Sequence, residues 1–390
     1  MESRPTDLDR LLGDDRRGGN WLTWAVASVS LLTVVGLVWL WPRGDARLPA
    51  SETLGLASGV VAAEVVSAED GPCSFAADLF CHLVVFELLD GDEAGAQTSQ
   101  EFEIATTAPR FRGGDRVVLN VVEDAPPEFR YQFADRDRRA VLWLLGIAFA
   151  AAVVGLGRLK GLAALAGLAA SVLVLVAFIA PAILRGENPV LVAAVGGSAI
   201  ALLSLYLAHG WHPLTHVAAV GTFASLALTL ALSAAVASLA QFSGFGSEES
   251  FFLAYVEGLQ IRGLILAGAV LGAIGALDDV TVTQASTVFE LDRANPRSTA
   301  RELFTSGLRV GRDHIASTVN TLLLAYAGAA MPLLLLFTMS GMPLGFVANS
   351  EIVAVEIFRT LVGSIGLVAS VPLTTWLAAR VVTRGRPMPA

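Results

Sequence analysis

The chain has 390 residues, of which 54% are hydrophobic and 16% charged, and its formal net charge is −9 at pH 7. Soluble domains carry about 25% charged residues, so this composition, with a mean hydropathy of +0.64, excludes an ordinary soluble protein and indicates a polytopic protein of the lipid bilayer. The sequence has no basic patch interleaved with aromatic residues, and we therefore expect no nucleic-acid partner.

Residues 1–20 form a polar tail, and the first apolar segment follows it at residues 21–41. A helix needs roughly 20 apolar residues to cross the hydrocarbon, whereas a secretory signal has a shorter apolar core. The tryptophans at the two ends of this segment are Trp21, Trp24, Trp39 and Trp41. Because tryptophan collects at membrane interfaces, we predict a retained transmembrane helix.

Residues 42–138 are a separate polar domain. Runs such as GVVAAEVV and HLVVFELLD are separated by Gly, Pro and Asp, which is typical of short strands. About five such strands predict a small all-β domain, either an OB-like barrel or a sandwich. The only two cysteines, Cys73 and Cys81, lie here, and in an oxidising exterior we expect a disulfide between them. The domain has no nucleophile–base constellation, which favours a lid, docking module or scaffold.

Seven further apolar segments predict a membrane domain over residues 139–382, before a short tail at 383–390. With the first helix they give about eight transmembrane helices in an α-helical polytopic protein. The further spans are 140–157, 161–184, 189–208, 214–239, 252–277, 314–338 and 358–382. The distribution of Lys and Arg between alternate loops places both termini and the 278–312 loop in the cytoplasm, and residues 42–138 outside.

The sixth predicted span ends in two adjacent carboxylates, within GALDDVTVTQAS at residues 275–286. If Arg262 lies at the outer interface, the path to Asp278 rises about 24 Å, less than the roughly 30 Å of the hydrocarbon. Asp278 and Asp279 are therefore predicted to lie inside the membrane, where the helix unwinds. The alternative is that they cap the helix or start the loop in water.

The seventh predicted span offers a matching polar face. Asp313, Ser317 and Asn320 follow a spacing of three to four residues and share one side of a helix. We predict a single polar layer between the two spans, with a polar helix-packing cluster as the alternative. The layer comprises Asp278, Asp279, Thr281, Thr283, Gln284, Asp313, His314, Ser317, Asn320 and Thr321. Adjacent carboxylates hold a shared proton, or bind a cation through oxygens.

Charged residues near the outer ends of two spans suggest an outer gate. Glu257 and Arg262 open the sixth span, and Glu356 and Arg359 open the eighth. In a gate, Glu257 would pair with Arg359. Similarly, Glu356 would pair with Arg262. Ordinary interfacial charge is the alternative.

The sequence HGWHPLTH brings His209, His212 and His216 together at a predicted cytoplasmic turn. The short spacing permits a zinc site. Pro213 suits the first turn of the next helix and separates His212 from it, so we favour a lining role without metal.

A capping box follows Pro296. Thr299 and Glu302 match its pattern, and proline stops a preceding helix. We expect a short cytoplasmic connector helix within residues 293–309.

Three long motifs resemble the YibE/F-like family of bacterial integral membrane proteins. They are EGLQIRGLILAGAVLGAIGALDDVTVTQASTVFEL, GRDHIASTVNTLLLAYAG and EIFRTLVGSIGLVASVPLTT. They occur in the family's order, and the resemblance covers about residues 130–382. It implies a multi-pass protein of the bacterial plasma membrane and a permease function.

The leading functional hypothesis is a secondary transporter or permease for an unidentified small molecule or ion. The sequence has no P-loop, H-E-x-x-H or G-x-S-x-G motif. Nothing therefore indicates ATP hydrolysis, so any transport would be secondary or channel-like. We expect no enzyme activity, and no cofactor beyond a bound proton or cation. One alternative is an intramembrane enzyme that uses Asp278 and Asp279 with His314 as acid–base groups. Another is a non-catalytic envelope assembly or sensory protein, and a homo-oligomer is left open.

Overall fold

The computed structural model describes residues 20–44, 59–76, 78–104, 109–122, 125–246 and 248–384. The chain divides into two compact units, one formed by Leu48–Ala152 and the other by Met1–Arg47 with Val153–Ala390. The first contains the β-strands and the second contains most of the helices. The predicted tails, 1–20 and 383–390, lie almost wholly outside the described residues.

The first unit is a five-stranded antiparallel sheet, as expected for an all-β domain. Its strands are β1 (Gly59–Pro72), β2 (Phe80–Leu88), β3 (Gln97–Glu103), β4 (Arg116–Val121) and β5 (Tyr131–Arg136), and a short 3-10 helix covers Pro127–Phe129. The strand order is β3-β2-β1-β4-β5. Alternate residues of the strands face one core that includes Val84, Phe86, Phe111 and Leu119.

The two edge strands of this sheet are joined by one side chain. Gln100 on β3 donates to the carbonyl of Tyr131 and accepts from the backbone N–H of Phe133 at 3.0 Å, both on β5. The sheet therefore curls into a half-barrel, and among the described residues there is no second sheet to form a sandwich. The predicted disulfide between Cys73 and Cys81 is confirmed. It links the end of β1 to the start of β2.

Apart from the start of the second helix, the long apolar helices lie in the second unit. They are α1 (Asn20–Trp39), α2 (Arg139–Val174), α3 (Ala180–Leu184), α4 (Pro189–His209), α5 (Pro213–Leu239), α6 (Glu248–Leu253), α7 (Ile261–Ala294), α8 (Ala300–Ala329), α9 (Met331–Met339), α10 (Leu344–Asn349) and α11 (Glu351–Thr383), with a π-helical turn at Leu175–Ile179. Among the described residues, six helices can cross a membrane, or up to seven if the pair α8 and α9, bent by 65°, is one span.

The predicted count of eight spans divides Arg139–Leu184 into two, whereas the total of six counts it as one helical stretch. Its backbone breaks at Arg158, where φ is 50° and ψ is −126°. A side chain at Gly161 would overlap the carbonyl of Val153, although eight residues of straight helix would separate these positions by about 12 Å. The chain therefore turns sharply at the boundary between the predicted spans 140–157 and 161–184.

Helix α7 lies at the centre of the helical unit and packs against α4, α5, α8 and α11. Small residues allow this close packing, as in other membrane bundles. Between α5 and α11, Gly221 faces Thr374 and Thr229 faces Gly366, and a Cβ on either glycine would overlap the threonine hydroxyl.

Several predicted boundaries were wrong. The sixth span was expected over 252–277, but α7 begins at Ile261 and continues to Ala294. The capping box is confirmed, since Glu302 N–H donates to Thr299 Oγ1 at 3.2 Å and Thr299 N–H donates to Glu302 Oε2 at 2.8 Å. The helix that it starts is 30 residues long and is no short connector, because nothing in the following sequence breaks it.

Candidate functional site

The two aspartates lie in the middle of α7, where the helix is continuous. The predicted unwinding at this point was wrong, and so was the alternative in which the aspartates cap the helix. From Asp278 the helix continues to Ala294, a rise of about 24 Å. The helix continues through the aspartates because no proline interrupts the sequence and the side chains around the pair pack into the bundle core.

Asp278 is half-buried and faces α4. Its Oδ2 accepts a hydrogen bond from Ser204 Oγ at 2.7 Å. Its Oδ1 is buried and has no hydrogen-bond partner among the described residues. Ser204 precedes the end of α4 at His209 by five residues, or about 7.5 Å. The carboxylate therefore lies inside the helix bundle rather than at its edge.

Thr281 is fully buried one turn further along α7. Its hydroxyl lies 2.7 Å from that of Thr222 on α5 and donates to the carbonyl of Asp278 at 3.1 Å. Thr222 lies nine residues after the start of α5 at Pro213, or about 14 Å. The distance along α5, like the distance along α4, therefore places the aspartates well inside the bundle.

Gln284 joins three helices. Its side chain is 2% exposed, and its Nε2 donates to the carbonyl of Gly307 on α8 and to Thr375 Oγ1 on α11, both at 2.7 Å. A Cβ at Gly311 would lie 2.7 Å from Gln284 Oε1, so glycine is needed for this approach. The amide is committed to holding helices together, which is a structural role.

Asp279 points away from Asp278, because successive residues of a helix are rotated by about 100°. It is exposed, as is Thr283 one turn later. Beyond them a shallow open groove runs along the same side of α7, and the residues that line it all belong to that helix. Its lining residues are Val282, Thr283, Ser286, Thr287, Glu290, Leu291 and Ala294.

The polar face predicted on the seventh span exists, but it points the other way. Ile315 and Val319 of α8 pack against the core that contains α7. The opposite face is exposed and carries Asp313, Ser317, Asn320 and Thr321. The prediction of one polar layer shared by the two spans was therefore wrong. Burial of the apolar face of an amphipathic helix decides its orientation.

His314 lies between these two faces of α8. It is partly buried, and its Nε2 has no hydrogen-bond partner among the described residues. Its carbonyl accepts from Thr318 Oγ1 at 3.0 Å. Among the described residues no hydrogen bond joins His314 to Asp278 or Asp279, and the side chain of Asp278 bonds to Ser204 on α4.

At the predicted outer gate, Glu356 pairs with Arg359 of its own helix at 2.7 Å. Arg262 instead donates from Nη2 to the carbonyl of Ala237 at 3.0 Å. The predicted pair of Glu356 with Arg262 is therefore not formed. A polar cavity of about 280 Å³ adjoins Arg359, Glu356 and Glu351. The role of Glu257 in a gate stays a prediction.

The three histidines lie around the turn between α4 and α5. His209 ends α4, His212 precedes α5, and His216 is 6% exposed within α5. The Nδ1 of His216 pairs with Tyr206 Oη at 2.7 Å. Among the described residues no group of three or more His, Cys, Asp or Glu side chains could hold a metal ion, so the zinc alternative gains no support from geometry.

Ser204 and Thr222 contribute to the site and were absent from the sequence-based set. Each lies in a long apolar span that carries other hydroxyls as well, such as Ser198 in α4 and Ser225 in α5. Such residues often bond to their own helix backbone. The sequence therefore contains no signal that singles out Ser204 or Thr222.

Residues 145–384 match the family described as YibE/F-like protein, which is more than half of the 390-residue chain. The chain belongs to the YibE/F-like family. The match begins within α2 and includes α4, α5, α7, α8 and α11, so the site described above is entirely part of the YibE/F-like region. Comparisons with curated proteins and with solved structures gave no match.

Proposed function

We propose that this YibE/F-like protein is a secondary transporter or permease for a small molecule or ion, and that Asp278 takes up and releases the coupling proton or cation. The proposal rests on the hydrogen bonding of the Asp278 carboxylate. One oxygen accepts from Ser204, while the other is buried without a partner among the described residues. A buried carboxylate in this situation is stabilised by a proton or a cation.

The groove beside Asp279 supports an access route in this proposal. The side chains of Asp279 and Thr283 are exposed on the face of α7 that borders the groove. Asp279 and Lys160 both act electrostatically on His209, at the end of α4. Ionisable groups therefore gather near the end of the bundle that we assign to the cytoplasm, where a proton or cation would enter.

The topology in this proposal follows the distribution of basic residues. Both termini are cytoplasmic, the β unit is extracytoplasmic, and the membrane is the bacterial plasma membrane. The disulfide between Cys73 and Cys81 is consistent with an oxidising exterior. We further propose an OB-like barrel for the β unit, because β1 pairs with β2 and β4, and Gln100 joins β3 to β5. Its role would be that of a scaffold or docking module.

The proposal is tested with purified protein in liposomes on a solid-supported membrane. Rapid jumps in pH or in the concentration of Na⁺, K⁺, Mg²⁺, Mn²⁺ or Zn²⁺ are applied, and transient charge movement is recorded. We expect at least one jump to move charge in the wild type. Asp278→Asn should abolish this signal, and Thr338→Val on α9, where the hydroxyl bonds to Leu334 of its own helix, should preserve it. Identical wild-type and Asp278→Asn traces for every jump would refute the role of this residue.

A further inference from the structure

The outward face of α8 is polar at a depth where a lone helix would meet lipid. This face carries Asp313, Ser317, Asn320 and Thr321, all exposed. Thr321 Oγ1 donates to the carbonyl of Ser317 at 3.1 Å within the helix. The carboxamide of Asn320, by contrast, has no hydrogen-bond partner among the described residues.

Two contacts between α8 and α7 show how deep in the helix bundle Asn320 lies. Gly307 of α8 lies beside Gln284, and the hydroxyl of Tyr326 lies beside Gly272. Asn320 falls between these two contacts, so it is level with the central part of α7, where the aspartates also lie. Polar groups in hydrocarbon are rare unless protein or a water-filled cavity covers them.

The same face allows another helix to approach closely. Toward its far end the exposed residues include Leu324 and, one turn later, Gly328. A Cβ at Gly328 would have nothing within 4 Å, so this part of the helix surface is open. Glycine lets two helices approach closely in membranes.

Charge near the start of the helix indicates what covers the face. Arg309 and Asp313 are exposed, lie one turn apart and share the outward side of α8. Neither forms an ion pair with another described residue. Two parallel copies of α8 would bring each Arg309 next to the other copy's Asp313. An isologous pair of this kind forms two identical ion pairs across a twofold axis.

We propose that a second copy of this chain docks on the outward face of α8, with the twofold axis normal to the membrane. Asn320 lies on the axis in this dimer. A carboxamide both donates and accepts hydrogen bonds, so two copies of Asn320 satisfy each other. The lone amide, the opposite charges one turn apart, the open glycine and the depth of the face all match a second copy of the chain. The inference does not depend on transport.

Cross-linking tests the interface directly, because both native cysteines are held in a disulfide and none is free. Single cysteines are introduced by Ser317→Cys and Leu324→Cys on the outward face. Leu203→Cys on α4 is the control, since Leu203 is exposed and adjoins Ser204, which bonds to Asp278 at the same depth, but it lies on another helix. After mild oxidation of membranes, we expect disulfide-linked dimers for the first two variants and at least tenfold less for the control.

A charge exchange gives an independent test. Arg309→Asp and Asp313→Arg should each lower the dimer fraction, measured by single-molecule photobleaching in nanodiscs, and the double variant should restore it. Asn320→Leu should raise the dimer dissociation constant roughly three- to tenfold, the effect of a modest interhelical hydrogen bond. A monomeric wild type, equal cross-linking at position 203, or a double variant without rescue would each overturn the proposal. Size-exclusion profiles show whether each variant is folded.

Discussion

Replacing Gln284 with leucine removes the amide that joins α7, α8 and α11 while keeping a side chain of similar size. Two hydrogen bonds of 2.7 Å are lost, to Gly307 and Thr375. Interhelical hydrogen bonds in membrane proteins are each worth about 0.6–1.7 kcal/mol. We therefore expect Gln284→Leu to lower the free energy of unfolding by about 1–3 kcal/mol.

The assay is unfolding of the purified protein in detergent, followed by tryptophan fluorescence. Thr375→Val removes one of the two bonds and should have about half the effect. In the double variant the shared bond is counted once, so the two effects should fall short of additivity by about 0.6–1.7 kcal/mol. The control is Thr287→Val, whose hydroxyl bonds only to Thr283 of its own helix. A Gln284→Leu protein as stable as this control, or strict additivity, would refute the argument.

Three further predictions concern stability. Asp278→Asn should raise the free energy of unfolding at pH 8 by about 1 kcal/mol. The variant keeps an acceptor for Ser204 but removes a buried charge that is incompletely hydrogen-bonded. A decrease of that size in the same detergent assay would contradict this prediction. Gly221→Val should lower the free energy of unfolding by about 1–3 kcal/mol, because the added side chain overpacks against α11. A neutral effect would mean that the two helices separate easily. Reducing the Cys73–Cys81 disulfide, which closes a loop with a sequence separation of 8, should destabilise the β unit by about 2.5 kcal/mol; unchanged proteolysis of this unit after reduction would show otherwise.

Local sequence patterns predicted local structure well. The capping box at Thr299 and Glu302 needs only residues three apart, and it formed as expected. The spacing of Asp313, Ser317 and Asn320 correctly predicted that they share a helix face. The direction of that face depends on which side buries more apolar surface, and Ile315 and Val319 on the other side decided it.

Contacts between distant spans were harder to predict. The hydrogen bond of Asp278 with Ser204 joins residues 74 positions apart, and nothing in either local sequence specifies the other. The expected break at the aspartates also failed, because polar side chains within a buried helix can be satisfied by neighbouring helices without unwinding the backbone. Family membership was predictable because long motifs were present in order.

The reciprocal contacts between α5 and α11 restrict how these two helices can move. Gly221 receives Thr374, and Gly366 receives Thr229, at two levels separated by about 12 Å. A slide of one helical turn would drive Thr374 onto a residue that has a side chain, such as Val217 or Ser225. The two helices are therefore held in register, and we expect any movement that changes the exposure of Asp278 to displace α4, α7 or α8 relative to them.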